Sequence, residues 1–104
     1  MATVLWTVGA SSDLREIFAF LRRDSEVYAS VLTSRIFEAV ERLGDYPYLG
    51  RMVPEYQDET IREVIVGNYR VVYRVRRRLI GVIGLIHGRQ NLTTRVSEEP
   101  WDFG

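Results

Sequence analysis

Cysteine and lysine are absent from this chain of 104 residues, and histidine occurs once, at His87. Without cysteine, neither a disulfide nor a thiolate metal site can form, and we expect a reducing, cytoplasmic setting. One histidine among scattered carboxylates argues against a catalytic zinc site. Phosphate-loop glycines and a nucleophile elbow are also missing from the sequence, so we expect no metal and no cofactor.

Long apolar runs are missing as well. No stretch approaches the roughly 20 residues of a membrane-spanning helix, and the N-terminus has neither the basic start nor the apolar core of a signal peptide. We therefore expect no membrane association. The length predicts one domain with a single core. We place this domain at residues 1–95 and treat residues 96–104 as an acidic tail with two aromatic side chains, Trp101 and Phe103.

All fourteen cationic side chains are arginine, and they are concentrated in the second half of the chain. Residues 51–95 hold nine arginines against four acids, whereas residues 1–50 hold five against seven. A guanidinium group binds phosphate or carboxylate through two parallel hydrogen bonds, so this density is typical of a surface that recognises anions. Ordinary surface arginines are the alternative.

Residues 61–90 predict three consecutive strands rich in valine, isoleucine and tyrosine. Gly67 and Asn68 separate the first two runs and predict a tight hairpin turn. The second run alternates in polarity, which places Arg70 and Arg74 on one face. The third run, 79–87, is nearly free of polar residues and predicts a strand buried on both sides.

We expect the function on the arginine-bearing face of this sheet, together with the histidine and two tyrosines of the same region. The alternatives are a structural, hydrogen-bonded His87 at a strand end and core packing for Tyr69 and Tyr73, which share a strand face with valines.

Residues 2–8 predict an opening strand, and two amphipathic helices follow. Asp13 and Glu16 resemble a capping box at the start of the first helix. The second helix restarts after Asp24-Ser25, runs for about 18 residues and ends before Gly44. Its predicted apolar stripe consists of Tyr28, Val31, Leu32, Ile36, Val40 and Leu43.

Residues 44–60 show no helical or strand period, and an irregular connection of this length is more often functional than not. The order of elements predicts an α+β fold, β-α-α-β-β-β. In this fold a helical hairpin packs across a small, mainly antiparallel twisted sheet.

Several short segments, taken in order, give the chain a resemblance to the RelE/ParE superfamily of bacterial toxins. They are Trp6, Asp13-Leu14, Leu43 with Pro47, Gly50-Arg51, Val53-Pro54-Glu55, Ile61-Arg62-Glu63, Tyr69-Arg70-Val71-Val72-Tyr73 and Ile86-His87-Gly88-Arg89. The resemblance covers residues 3 to about 92, and the run YRVVYRV followed by IHGRQ is closer to the ParE-like branch.

The resemblance implies the toxin of a type II toxin–antitoxin, or plasmid-stabilisation, module. Its partner would be a cognate antitoxin, and operator DNA would be contacted only through the toxin–antitoxin complex. The ParE branch inhibits DNA gyrase by binding it, and we favour that target. The RelE branch cleaves messenger RNA on the ribosome, which makes a metal-free endoribonuclease the first alternative. An inactive, regulatory member that binds only its antitoxin is the second.

The ribonuclease alternative implies specific residues. Glu55 and Arg70 match the loop glutamate and the strand arginine of RelE-like enzymes. His87 is near the position of their catalytic histidine in the sequence. The C-terminal tyrosine and the lysines of such enzymes are missing here. Four more arginines are candidates for binding phosphate or a protein target: Arg51, Arg62, Arg74 and Arg89.

Overall fold

A computed structural model describes residues 1–88 and shows two helices packed on one face of a five-stranded sheet. The elements are β1 (Thr3–Trp6), α1 (Val8–Arg22), α2 (Glu26–Arg42), β2 (Arg51–Met52), β3 (Ile61–Val66), β4 (Tyr69–Arg76) and β5 (Leu79–His87). The sheet order is β1-β5-β4-β3-β2. The first strand pairs with β5 in parallel, and every other pair is antiparallel. The predicted α+β fold is confirmed.

The β3–β4 hairpin turns at the predicted position. Gly67 has φ +58°, a conformation that glycine adopts without strain, and Val66 pairs directly with Tyr69 across the turn. In the β4–β5 ladder, the pairing passes from Val72–Gly84 to Tyr73–Val82. Ile83 is therefore the extra residue of a β-bulge, beside one of the glycines in the third run.

The first helix begins earlier than the sequence predicts. Its N-cap is Thr7, whose hydroxyl accepts from the Ala10 amide at 3.1 Å and donates to the Ile83 carbonyl of β5 at 3.1 Å. The predicted capping box at Asp13 is wrong. Asp13 lies within the helix rather than at its start, and its buried carboxylate accepts from the Leu85 amide at 3.0 Å. The second helix starts as predicted, with Ser25 as its N-cap.

The main core lies between the helices and the sheet. Leu14 of α1 and Leu32, Ile36 and Val40 of α2 pack there against side chains of β4 and β5. Two members of the predicted stripe on α2 are not part of it, because Tyr28 and Val31 are about half exposed. The helix therefore presents a second apolar strip to solvent.

The opposite face of the sheet is covered by the chain between α2 and β3. The prediction that residues 44–60 lack regular structure is wrong in one place, because β2 forms a short edge strand there. After β2, Val53 packs against Ile61, Val72, Ile83 and Ile86 in a second buried cluster. This segment is thereby fixed on the face of the sheet opposite the helices, where Arg70 also lies. We call this face, which carries no helix, the open face.

Candidate functional site

Arg70 lies at the centre of a buried cluster of charged side chains. Its Nε donates to Glu63 Oε1 at 2.6 Å, and its two terminal nitrogens donate to the two oxygens of Glu55 at 2.7 and 2.8 Å. Only 6% of the Arg70 side chain is exposed to solvent. The guanidinium is therefore held between a carboxylate of the sheet and a carboxylate of the loop.

Arg51 extends the cluster towards solvent. Its Nε and Nη2 both lie 2.6 Å from Glu63 Oε2, whereas Arg70 Nε donates to the other oxygen, Oε1. The Glu63 side chain is fully buried and is satisfied by two arginines, as an interior carboxylate requires. Charges alternate along the order Arg51, Glu63, Arg70, Glu55, and the four formal charges cancel.

Hydrogen bonds to Glu55, followed by those to Glu63, raise the pKa of Arg70 further above its ordinary value, although burial acts in the opposite direction. The guanidinium has five N–H donors, and at least three are directed at these two carboxylates. Tyr56 lies beside them, and burial together with the charge of Glu55 raises its pKa. Arg70 is thus a permanently charged group whose charge is compensated inside the protein.

A glycine allows the loop to approach the sheet closely enough to form this cluster. The Gly50 amide donates to the Tyr73 hydroxyl at 2.9 Å, and that hydroxyl donates to the Pro47 carbonyl at 2.8 Å. A Cβ atom at position 50 would collide with the backbone of Glu63 and with the Tyr73 hydroxyl. Glycine is therefore needed where the chain enters β2.

One of the predicted anion-binding arginines, Arg62, anchors the same loop. Arg62 donates to the backbone carbonyls of Glu59 and Gly50, each at 2.9 Å, and its guanidinium lies 4.8 Å from the centre of the Tyr48 ring. Asp58 accepts from the hydroxyl and the amide of Thr60, and these bonds, with a smaller effect from the charge of Arg74, lower the pKa of its carboxyl group.

His87 lies on the other face of the sheet. It pairs in register with Tyr69, whereas Arg70 pairs with Ile86, and neighbouring residues of a strand point to opposite faces. The His87 ring meets the Tyr69 ring edge-on, with centroids 5.7 Å apart and an interplanar angle of 76°. Both rings line a cavity of about 290 Å³ against α1.

The predicted site residues are therefore only partly brought together. Arg51, Glu55 and Arg70 meet as a cluster on the open face, whereas His87 belongs to the helix-bearing face. The expectation that the histidine and the tyrosines share the arginine-bearing face is wrong, because the strand register separates them. Arg89 lies outside the described residues.

Glu63 is the principal member of the cluster that sequence reasoning missed. Counting back from the Gly67-Asn68 turn pairs Ile65 with Arg70 and Glu63 with Val72. Glu63 and Arg70 then lie diagonally across the hairpin on one face, within reach of each other's long side chains. The position of the Gly67-Asn68 turn is therefore enough to predict that Glu63 and Arg70 share a face.

Within residues 1–88, no group of three or more acidic or histidine side chains has the arrangement of a metal site. In the same part of the chain, no helix is both long and apolar enough to span a membrane.

Comparison with solved structures supports the classification suggested by this architecture. A structure of the chromosomal ParDE toxin–antitoxin system from P. aeruginosa superposes with a TM-score of 0.68 at 20% identity, over 84% of this chain and 96% of that one. The chain therefore shares the fold seen in that ParDE structure, two helices packed on a five-stranded sheet.

Sequence comparison then identifies the family. A Sinorhizobium fredii protein, Y4kP, whose name describes it as a candidate toxin, is 29% identical over 89 residues, which are 84% of this chain and 88% of that protein. The sequence profile of the ParE toxins of type II toxin–antitoxin (parDE) systems matches residues 4–92. The chain belongs to the ParE toxin family.

Proposed function

We propose that this toxin arrests growth by binding a protein target, with DNA gyrase as the first candidate, and that a cognate antitoxin neutralises it. We assign this activity to a domain of residues 1–95 that acts in the cytoplasm, with residues 96–104 as an appended tail. Operator DNA is contacted only through the toxin–antitoxin complex. The observation that carries the proposal is the separation of His87 from Arg70 by the thickness of the sheet.

Metal-free cleavage of RNA requires a base, an acid and cations around one phosphate. Arg70 and Glu55 lie together but are bonded to each other, and arginine is too basic to transfer protons. A change of rotamer cannot bring His87 to them, because the histidine projects from the opposite face of the sheet. The ribonuclease set of Arg70, His87 and Glu55 is therefore not assembled around one point in this fold.

The helical hairpin supports a protein-binding function. Exposed apolar side chains of α2 are Val27, Tyr28, Val31 and Phe37, and α1 exposes Phe20. Exposed apolar side chains grouped on one element are typical of protein–protein contact surfaces. The antitoxin and the target are both proteins, so a surface of this kind suits either partner.

Expression of the chain without an antitoxin tests the proposal. We expect growth arrest with blocked DNA supercoiling and intact messenger RNA. The variant His87→Ala, which changes an exposed side chain, should arrest growth as strongly as the unmodified chain. Arg76→Ala, at an exposed strand end, is the matched control for expression and folding.

Three results are informative. Arrest with transcripts cut at ribosomal sites, lost in His87→Ala but kept in Arg76→Ala, would establish the ribonuclease alternative. Arrest without inhibition of supercoiling and without RNA cleavage would exclude gyrase as the target. Absence of arrest from a folded, soluble chain would favour the regulatory alternative.

A further inference from the structure

The two edge strands of the sheet differ in how they are protected against pairing with another chain. β2 is two residues long, carries Arg51 and is closely followed by Pro54, and a short strand, a charge and a proline all discourage such pairing. Residues 2–8, which include β1, contain neither a charged residue nor a proline, and Leu5 is 55% exposed. An apolar edge of this kind is a template for a further strand.

The backbone of β1 presents hydrogen-bonding groups at this edge. The Thr3 and Thr7 amides donate to carbonyls in and next to β5 at 2.8 and 3.0 Å, so these residues face the sheet. Backbone groups of successive residues point to alternate sides of a strand. Val4 and Trp6 therefore direct their N–H and C=O groups away from β5, which is the strand that β1 pairs with among residues 1–88.

A cavity of about 440 Å³ lies beside this edge, between β1 and α2. Val4, Trp6 and Phe37 contribute to its apolar wall, and the rings of Trp6 and Phe37 are 5.4 Å apart. Phe37 is 47% exposed. Ligand sites typically measure about 300–1,000 Å³, so the cavity accommodates a bulky side chain. Because Val4 and Trp6 pack on the helix side of the sheet, a strand added beside β1 would direct alternate side chains towards this cavity.

Two carboxylates, those of Glu41 and Asp45, also line the cavity. Asp45 lines a neighbouring cavity as well, together with Arg77 and Arg78. Glu41 is therefore the group on which a preference for charge depends. A basic side chain on the added strand, two residues from the apolar one and on the same face, would complement this carboxylate.

A second copy of the chain does not suit this edge. Val4 and Trp6 of each copy already pack on their own core, so β1 has no side chain to place in its neighbour's cavity. Residues 2–8 contain no basic side chain to complement Glu41. Pairing of two β1 strands about a two-fold axis would also bring the same carboxylates of both copies to one interface. The occupant that fits is a segment of a different protein.

We propose that β1 receives one extended segment of a protein partner, which places an apolar side chain beside Phe37 and a basic side chain beside Glu41. Hydrogen bonds with Val4 and Trp6 fix the register of the added strand, and the cavity selects its side chains. The inference rests on the proposed function only in taking the partner to be a protein. It specifies the edge that is used and the chemistry that the partner must present there.

A synthetic peptide tests this edge before any partner is identified. We would titrate the isotope-labelled full chain with the acetylated peptide amide TLTRT, whose leucine and arginine share one face of an extended strand, and follow amide signals by NMR. We expect a Kd on the order of 1–10 mM, because one short strand makes few contacts. Near saturation, hydrogen exchange at the Val4 and Trp6 amides should slow by about fivefold or more, whereas the Thr3 and Thr7 amides are already bonded and should change little.

Two altered peptides separate the contributions of backbone and charge. TLTRT methylated at every backbone nitrogen keeps its side chains but cannot donate backbone hydrogen bonds, and we expect it to bind about tenfold more weakly or worse. The peptide TLTET carries an acid in place of the arginine, and we expect its binding to weaken by about threefold or more because the acid is repelled by Glu41.

The variant Phe37→Ala with Glu41→Gln removes one ring and one carboxylate from the cavity wall at exposed positions of α2. We expect it to weaken TLTRT binding by about tenfold or more while the remaining amide spectrum is preserved. The matched control, Phe20→Ala with Glu16→Gln, makes the same substitutions at exposed positions of α1 that do not line this cavity. The control should bind the peptide like the unmodified chain.

Three outcomes would overturn the proposal. The first is no saturable protection of the Val4 and Trp6 amides by TLTRT, and the second is equal binding of either altered peptide. The third is protection of the same two amides that rises with protein concentration in the absence of peptide, which would assign the edge to a second copy. None of these results depends on growth arrest or gyrase inhibition, so failure of this inference and failure of the proposed function are distinguishable.

Discussion

Two groups of ionisable side chains lie on opposite faces of the sheet, and they differ in which groups hold their carboxylates. On the open face, Arg51, Glu63, Arg70 and Glu55 compensate one another over contacts of 2.6–2.8 Å. On the helix-bearing face, the buried Asp13 carboxylate accepts from the Leu85 amide at 3.0 Å, at the wall of a cavity that aromatic rings also line. The group on the open face, in which arginines neutralise both carboxylates, is suited to holding the fold together.

The difference follows from the cost of burying charge. A carboxylate as buried as Glu63 is tolerated only when cations and hydrogen bonds replace its lost hydration. Once the pairing is complete, the residual field available to attract a ligand is small. We therefore interpret the Arg70 cluster as the attachment of the 50–60 segment to the sheet. Four predictions test this comparison, beginning with the largest expected effect.

Replacing Arg70 with methionine should lower the free energy of unfolding by about 3–5 kcal/mol, because it leaves buried carboxylates without their central cation. Urea denaturation at pH 7 would measure the loss. Arg76→Met, at an exposed position of the same strand, should change stability by less than about 0.5 kcal/mol. Equal effects of the two changes would show that the cluster does not stabilise the fold.

Gly50→Ala should cost about 1–3 kcal/mol, because the added methyl group forces the loop away from Glu63 and Tyr73. Thermal unfolding followed by circular dichroism would report the change. Gly81→Ala is the matched control, because a Cβ atom there meets no atom within 4 Å. If both substitutions were tolerated equally, the close approach at Gly50 would not be required.

Tyr73→Phe should cost about 1–2 kcal/mol at pH 7, since it removes the hydroxyl that bonds Gly50 and Pro47. Burial is the main cause that raises the pKa of Tyr73 in the folded protein. The unfolded chain therefore releases this proton first, and the stabilisation is complete below about pH 10 and is lost as pH rises through the folded pKa. Urea midpoints measured from pH 7 to 11 should converge for the two proteins, and a constant difference would contradict this account.

His87→Ala should have the smallest effect, a loss of about 0.5–1 kcal/mol from the edge-to-face contact with Tyr69. Chemical denaturation of this variant beside Arg70→Met gives the direct contrast between the two faces. A loss as large as that of Arg70→Met would mean that His87 is also an essential structural residue.

Local patterns in the sequence predict most of the fold. Alternation and the Gly67-Asn68 turn place the β3–β4 hairpin, and the Ser25 N-cap marks the second helix. The start of α1 was misplaced because Asp13 and Glu16 resemble a capping box, whereas the actual N-cap, Thr7, is held by a bond to Ile83 of β5. Such a contact joins residues far apart in the chain, and no local pattern contains it.

The candidate site was predicted in its residue types but not in its arrangement. Arg70 and Glu55 were identified, and they are bonded together. Glu63 was missed because its neighbour Arg62 was chosen as the candidate, although the hairpin register places Glu63 on the same face as Arg70. The face on which His87 lies depends on the register of β5 against β4. The bulge at Ile83 shifts this register, and the periodicity of the sequence does not reveal the bulge.

The parallel pairing of β1 with β5 also has a consequence for the timing of protein synthesis. Thr3 aligns with Leu79 and Trp6 with Val82, so the first strand to leave the ribosome must wait for the last described strand before it can pair. Pairing between distant segments of a chain is slow to form. A nascent chain that stops before β5 lacks the strand that neighbours both β1 and β4. The sheet is therefore completed only after β5 has been translated.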